Sequence, residues 1–141
     1  MRRAPEFLEL SGFAFSKFIA GRDALKGVEW IPAGWVLQLH HLYLLHGHEW
    51  HGGMSSPVNP ARGAQLKLLE CAMVGHQHRT SNHVEPTLSG RNITVWSVGC
   101  ACDLHPAYAP INRWNAGVAT LSAGDQWSVT NYRKINGALV P

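Results

Sequence analysis

The sequence predicts an α/β protein with a mixed sheet, in which a central β-α-β unit is followed by antiparallel hairpins. Three observations lead there. Two four-residue apolar runs, at 42–45 and 71–74, flank a helical segment opened by Asn59-Pro60. A strand-helix-strand order of this kind makes the two strands parallel near neighbours. Beyond residue 80, apolar runs alternate with Gly-containing turns, the pattern of hairpins. The chain has 141 residues with 45% hydrophobic and 15% charged. That length fits one domain over 1–141, large enough to bury a core without disulfide staples.

Residues 1–26 carry Phe7, Leu8, Leu10, Phe13, Phe15, Phe18 and Ile19 at helical spacing, with Gly12 and Gly21 as breaks. They read as two short helices. Short strands follow at 28–31, 35–39 and 42–45. Residues 47–59, rich in Gly, Ser and Pro, read as a loop. Asn59 is an N-cap residue type and Pro60 suits a first helical turn, so a helix is expected from 60 to about Glu70, with Leu66 and Leu69 on its apolar face. A strand at 71–74 ends at Gly75-His76-Gln77-His78. Strands at 83–88 and 92–98 flank the turn residues Ser89-Gly90. A long loop spans 103–116, and strands at 117–121 and 127–132 flank Ala123-Gly124-Asp125.

Composition excludes several classes. No apolar stretch approaches the ~18 residues that span a bilayer, so no membrane partner is expected. The opening MRRAPEFLEL lacks an apolar signal core. The three cysteines, Cys71, Cys100 and Cys102, are an odd number. Together these point to a reducing, cytoplasmic setting rather than a disulfide framework. Cys100 and Cys102 would share one face of a strand, but two thiols alone make a poor zinc site, and buried free cysteine is commonplace. The net charge of +3 is dispersed, with only Arg2-Arg3 and Arg133-Lys134 adjacent. A nucleic-acid surface would be clustered. The six tryptophans suit a core or an interface.

The anomaly is histidine, with nine residues spread along the chain. Two apolar strands end in it: Leu42-Tyr43-Leu44-Leu45-His46-Gly47 and Ala72-Met73-Val74-Gly75-His76-Gln77-His78. Ligands gather beyond the C-terminal ends of parallel strands. His46, His76 and His78 are therefore expected to converge. On an extended backbone His76 and His78 project to the same side.

In this order and spacing, LLHGHEW, the helix, CAMVGHQHR, WSVGCACDL and AYAP make residues 28–114 resemble the C-terminal half of calcineurin-like metallophosphoesterases. The resemblance is nearest to their bacterial and phage, DNA-repair exonuclease-like branch. It implies a four-layer αββα sandwich and hydrolysis of phosphomonoesters or phosphodiesters, nucleic acid included, at two divalent ions, commonly Mn, Fe or Zn. It also implies that His46 and His76 ligate one metal and His78 the other. His48, Glu49 and His51 line the substrate cleft or belong to a solvated loop. Arg79 faces substrate or closes a salt bridge.

The family's opening motifs, D-x-H, G-D and G-N-H-[DE], would fall before residue 1. The chain therefore reads as a C-terminal half with no assignable catalytic residue of its own, working with a separate N-terminal half or as a homo-oligomer. Asp103-Leu104-His105, Asn82-His83 and Gly124-Asp125 mimic fragments of those motifs, but not in the family's context. Two dications about 3.5–4 Å apart repel by roughly 18 kcal/mol at an effective dielectric of 20, which neutral imidazoles cannot offset. At most one ion is expected on these histidines. The alternative to an enzyme part is a non-catalytic metal-binding or interaction module derived from the same family.

Overall fold

The structure is a computed structural model and describes residues 31, 34–49, 58–123 and 126–141. The helices expected within 1–26, most of the strand expected at 28–31, and His51 lie outside the described residues. Residues 34–141 form one compact unit.

The unit is mixed α/β, with two sheets and, among the described residues, one helix. The first sheet contains β1 (Leu37–Leu39), β2 (Leu42–Leu45), β3 (Cys71–Val74), β4 (Ser81–Pro86) and β5 (Asn92–Ser97), in the order β1-β2-β3-β5-β4. β2 pairs in parallel with β3, with Leu42 opposite Cys71 and Leu45 opposite Val74. β3 pairs in parallel with β5, with Val74 opposite Ser97. The edge strands β1 and β4 run antiparallel to their neighbours. Three parallel strands thus occupy the centre, and their C-terminal ends emerge along one edge.

Helix α1 (Pro60–Leu68) makes the crossover from β2 to β3. Asn59 caps it, its side chain accepting from Arg62 N at 3.0 Å, and Pro60 occupies the first turn, where its missing N–H costs nothing. Leu69, in the left-handed region, closes the helix with its N–H donated to Gln65 O. The buried face differs from the sequence expectation. Leu66 and Leu69 point to solvent, 64% and 60% exposed, while Ala61 and Ala64 are fully buried. The small alanines let the helix backbone approach the sheet, where they pack with Ala72, Val74, Ile93 and Val95, flanked by Tyr43, Leu45 and Leu68. A leucine in their place would overfill that contact.

The hairpin of β4 and β5 closes through Thr87–Arg91, with Gly90 at φ +81°. Pairing begins at Ser81, and Leu88, expected inside the strand, is fully exposed in the turn. The second sheet holds β6 (Gly117–Ala123), β7 (Trp127–Ile135) and β8 (Ala138–Val140), all antiparallel. β8 adds a third strand to the two that the sequence predicts there. Its turn is Asn136-Gly137, both at positive φ, the two-residue type I′ signal. Asn131 of β7 donates from Nδ2 to Ser81 O and Ser97 O, and Trp127 meets Trp96 edge-on at 5.7 Å. These contacts tie the second sheet to β4 and β5. Among the described residues, no helix is long and apolar enough to cross a membrane.

Removing two methyl groups from the helix–sheet contact, as in Val95→Ala, is expected to cost about 2–3 kcal/mol by urea denaturation. Leu66→Ala should stay within about 0.5 kcal/mol, because that side chain is exposed.

Candidate metal centre

His46 leaves β2 at the level where Gly75 and His76 leave β3, because the parallel register sets Leu45 beside Val74. The two segments are joined by backbone. His46 O accepts from Gly75 N at 3.1 Å and from His76 N at 2.7 Å. Gly47, at φ +110°, makes this approach possible, since a Cβ there would stand 3.0 Å from His76 Cβ. The His46 and His76 rings consequently meet edge-on, with centroids 4.9 Å apart.

His48 joins the same cluster. Its Nδ1 lies 2.8 Å from His46 Nδ1, so one ring carries the shared proton and the other accepts it. Glu49 anchors the loop, and it also lines a pocket with Tyr43, Leu45, Leu68 and Glu70. Its Oε1 accepts from His46 N at 3.1 Å and its Oε2 from Gly47 N at 2.5 Å.

His78 arrives by a route the sequence did not show. Residues 75–78 form a turn, with His78 N donating to Gly75 O at 3.3 Å, and His78 adopts φ +54°. The extended backbone expected for His76 and His78 is therefore absent. An L-residue in this region is strained by roughly 1–2 kcal/mol. The ring packs edge-on against Trp114, centroids 4.3 Å apart, and its Nδ1 lies 3.8 Å from Cys102 Sγ. The ligand atoms of His78, Cys100 and Cys102 all lie within 4.8 Å of one another, a group able to hold a metal ion. Cys100 and Cys102 do not share a strand face. Cys100 forms a single bridge to Ala116, and Cys102 sits in a bend beyond it.

Asn115 holds this second group together. Its N–H donates to His78 O at 3.0 Å and its carbonyl accepts from Cys100 N at 3.0 Å. Its Oδ1 accepts from Thr80 N, and its Nδ2 donates to Thr80 Oγ1, both at 2.8 Å. Gly99 permits the approach, since a Cβ there would stand 2.6 Å from Asn115 O. Neither Asn115 nor Trp114 was singled out in the sequence as a site residue. Their pairing across a long loop leaves no local pattern.

Electrostatics follow from this crowding. Burial, then the neighbouring His76 and His48 rings, push His46 below the ordinary histidine value, with Glu49 opposing. Burial and His76 lower His78 likewise. Burial raises the Glu49 carboxyl, but backbone N–H donors at Glu49, Gly47 and His46 outweigh it and hold the group below its usual value. The Cys102 thiol is raised, first by its hydrogen bond with Cys100. Neutral imidazole is the form that ligates a metal.

The remaining expectations fall elsewhere. Arg79 lies just past His78, with its backbone carbonyl accepting from Ser97 Oγ at 2.7 Å. His83 pairs with Glu85 on β4 at 3.2 Å. Asp103 accepts from His105 N, so that look-alike motif is a local turn. No family model, curated protein or solved structure matches the chain.

In chelator-treated protein, the His46 and His78 rings should titrate by NMR with midpoints below 6.5. The unfolded chain then binds more protons than the folded one in that window, so stability is full above 6.5 and falls as pH drops through the folded midpoints. Midpoints at or above 6.5 contradict the crowding. Asn115→Ala should lower stability by about 1–3 kcal/mol in urea, since it orphans the Thr80 N–H.

Proposed function

We propose that the chain is the histidine-bearing part of a metal-dependent phosphoesterase of the calcineurin-like type. One observation carries the reading: the parallel ends of β2 and β3 bring the His46 and His76 rings to 4.9 Å, with His46 O bonded to both Gly75 and His76. The motifs that suggested the family are thus neighbours in space as well as in order. The mixed sheet with α1 on one face is compatible with one side of a four-layer sandwich.

The donors fit one ion and not two. His46 and His76 present ring nitrogens, with His48 and His78 beside them, and imidazole suits Zn, Mn or Fe to differing degrees. Glu49, the carboxylate next to the cluster, already accepts backbone N–H bonds with both oxygens. A pair of dications needs anionic ligands that this cluster does not offer. In this reading they come from residues carrying the D-x-H, G-D and G-N-H-[DE] motifs. A divalent ion held here would supply Lewis-acid polarisation of a phosphoryl oxygen. The chain's own residues hold the donors still. Glu49 fixes the backbone at His46 and Gly47, and the burial that lowers His46 keeps it neutral near neutral pH.

The test is hydrolysis of bis-p-nitrophenyl phosphate with Mn²⁺, by the chain alone and with a polypeptide carrying those three motifs. The expected result is slow or no turnover alone and metal-dependent turnover together. His76→Ala should reduce the latter by more than the roughly 10–100-fold lost with an outer-shell partner. No turnover in combination, or turnover indifferent to His76→Ala, contradicts the proposal.

A further inference from the structure

The geometry points to a second, thiolate-based metal site at the C-terminal end of β5, formed by His78 Nδ1, Cys100 Sγ and Cys102 Sγ and selective for a soft or borderline ion such as Zn²⁺. This inference does not rest on the phosphoesterase reading.

The distances are near those a bound ion would impose. Zinc bonds thiolate at about 2.3 Å and imidazole at about 2.0–2.1 Å, so a tetrahedral site sets sulfur and nitrogen about 3.6 Å apart and the two sulfurs about 3.8 Å apart. Cys102 Sγ and His78 Nδ1 already stand 3.8 Å apart, and all three ligand atoms lie within 4.8 Å.

The chemistry matches the ion. Zn²⁺ binding displaces one proton from each thiol, so two protons leave, the two thiolates neutralise the dication, and no electron is transferred. This charge balance is what the imidazole cluster lacks. Two cysteines and one histidine leave the fourth position open, as in catalytic rather than structural zinc sites. Cys102 is exposed, so an ion can enter from solvent, while Cys100 is buried.

The site is also built in advance. Asn115 ties His78 to Cys100 through its own backbone, and Trp114 seats the His78 ring. The left-handed backbone at His78 is held against its strain by these contacts and aims Nδ1 at the sulfurs. A neutral imidazole offers one lone pair, so His78 serves one ion at a time. Filling the thiolate site therefore leaves His46, His48 and His76 as the rings of the first cluster.

The experiment is Co²⁺ titration of the full chain, purified under reducing conditions. The expected result is a near-ultraviolet thiolate-to-cobalt charge-transfer band with the visible bands of a tetrahedral ion, displaced by Zn²⁺ with release of two protons per ion. Cys102→Ser, at an exposed position, should cut the charge-transfer intensity about twofold and weaken binding while leaving the circular dichroism spectrum unchanged. The band should persist in His46→Ala and His76→Ala, variants that disable the phosphoesterase cluster. Cys71→Ser, at the opposite end of β3, should also leave it intact. Absence of the band, its full intensity in Cys102→Ser, or its loss in Cys71→Ser would overturn the assignment.

Discussion

The parallel pairing of β2, β3 and β5 is the constraint on which the rest depends. Parallel strands in register end together, so whatever follows each of them is delivered to one edge of the sheet. Here Leu45, Val74 and Ser97 lie side by side. His46 follows the first, the turn with His76 and His78 follows the second, and Cys100 and Cys102 follow the third. This register delivers the segments that carry the donors of both clusters to one edge. A slip of one residue would turn Ala72 and Val74 away from α1 and disperse the donors.

Side-chain chemistry alone would not bring these groups so close. At Gly47 and Gly99 the chain gives up a Cβ so that neighbouring backbone can approach, and at His78 it accepts a conformation disfavoured for an L-residue. Hydrogen bonds hold what that permits. His46 O takes two amide protons, Glu49 takes two, and the Asn115 peptide spans His78 and Cys100. Burial, with the neighbouring rings, lowers His46 and His78, which favours their ligating form. Backbone geometry and proton affinity thus act in the same direction, toward a cation.

Much of the fold could be read from local chemistry. Asn59-Pro60 marked the helix start, the four-residue apolar runs marked β2 and β3, and their order implied parallel pairing. What misled was hydrophobicity taken by size. Leu66 and Leu69 look like a core face, but a helix lying close on a sheet uses Ala61 and Ala64. The Asn136-Gly137 turn is a local hairpin signal, but the strand after it is only three residues long. At the site, histidine at strand ends was visible because strand ends are local features. The alliance of His78 with Cys100, Cys102, Trp114 and Asn115 was not. It depends on residues up to 37 positions apart meeting across an irregular loop, and on a left-handed residue that no periodicity announces.

The central claim is that three of nine histidines share one metal-binding edge. Long-range nitrogen–proton correlation NMR of the imidazole rings under saturating Zn²⁺ tests it most directly. The rings of His46, His76 and His78 should respond together, while those of His40, His41, His83 and His105 keep their metal-free positions. Zinc-dependent shifts confined to the latter four rings, with His46 and His76 unmoved, would contradict the account.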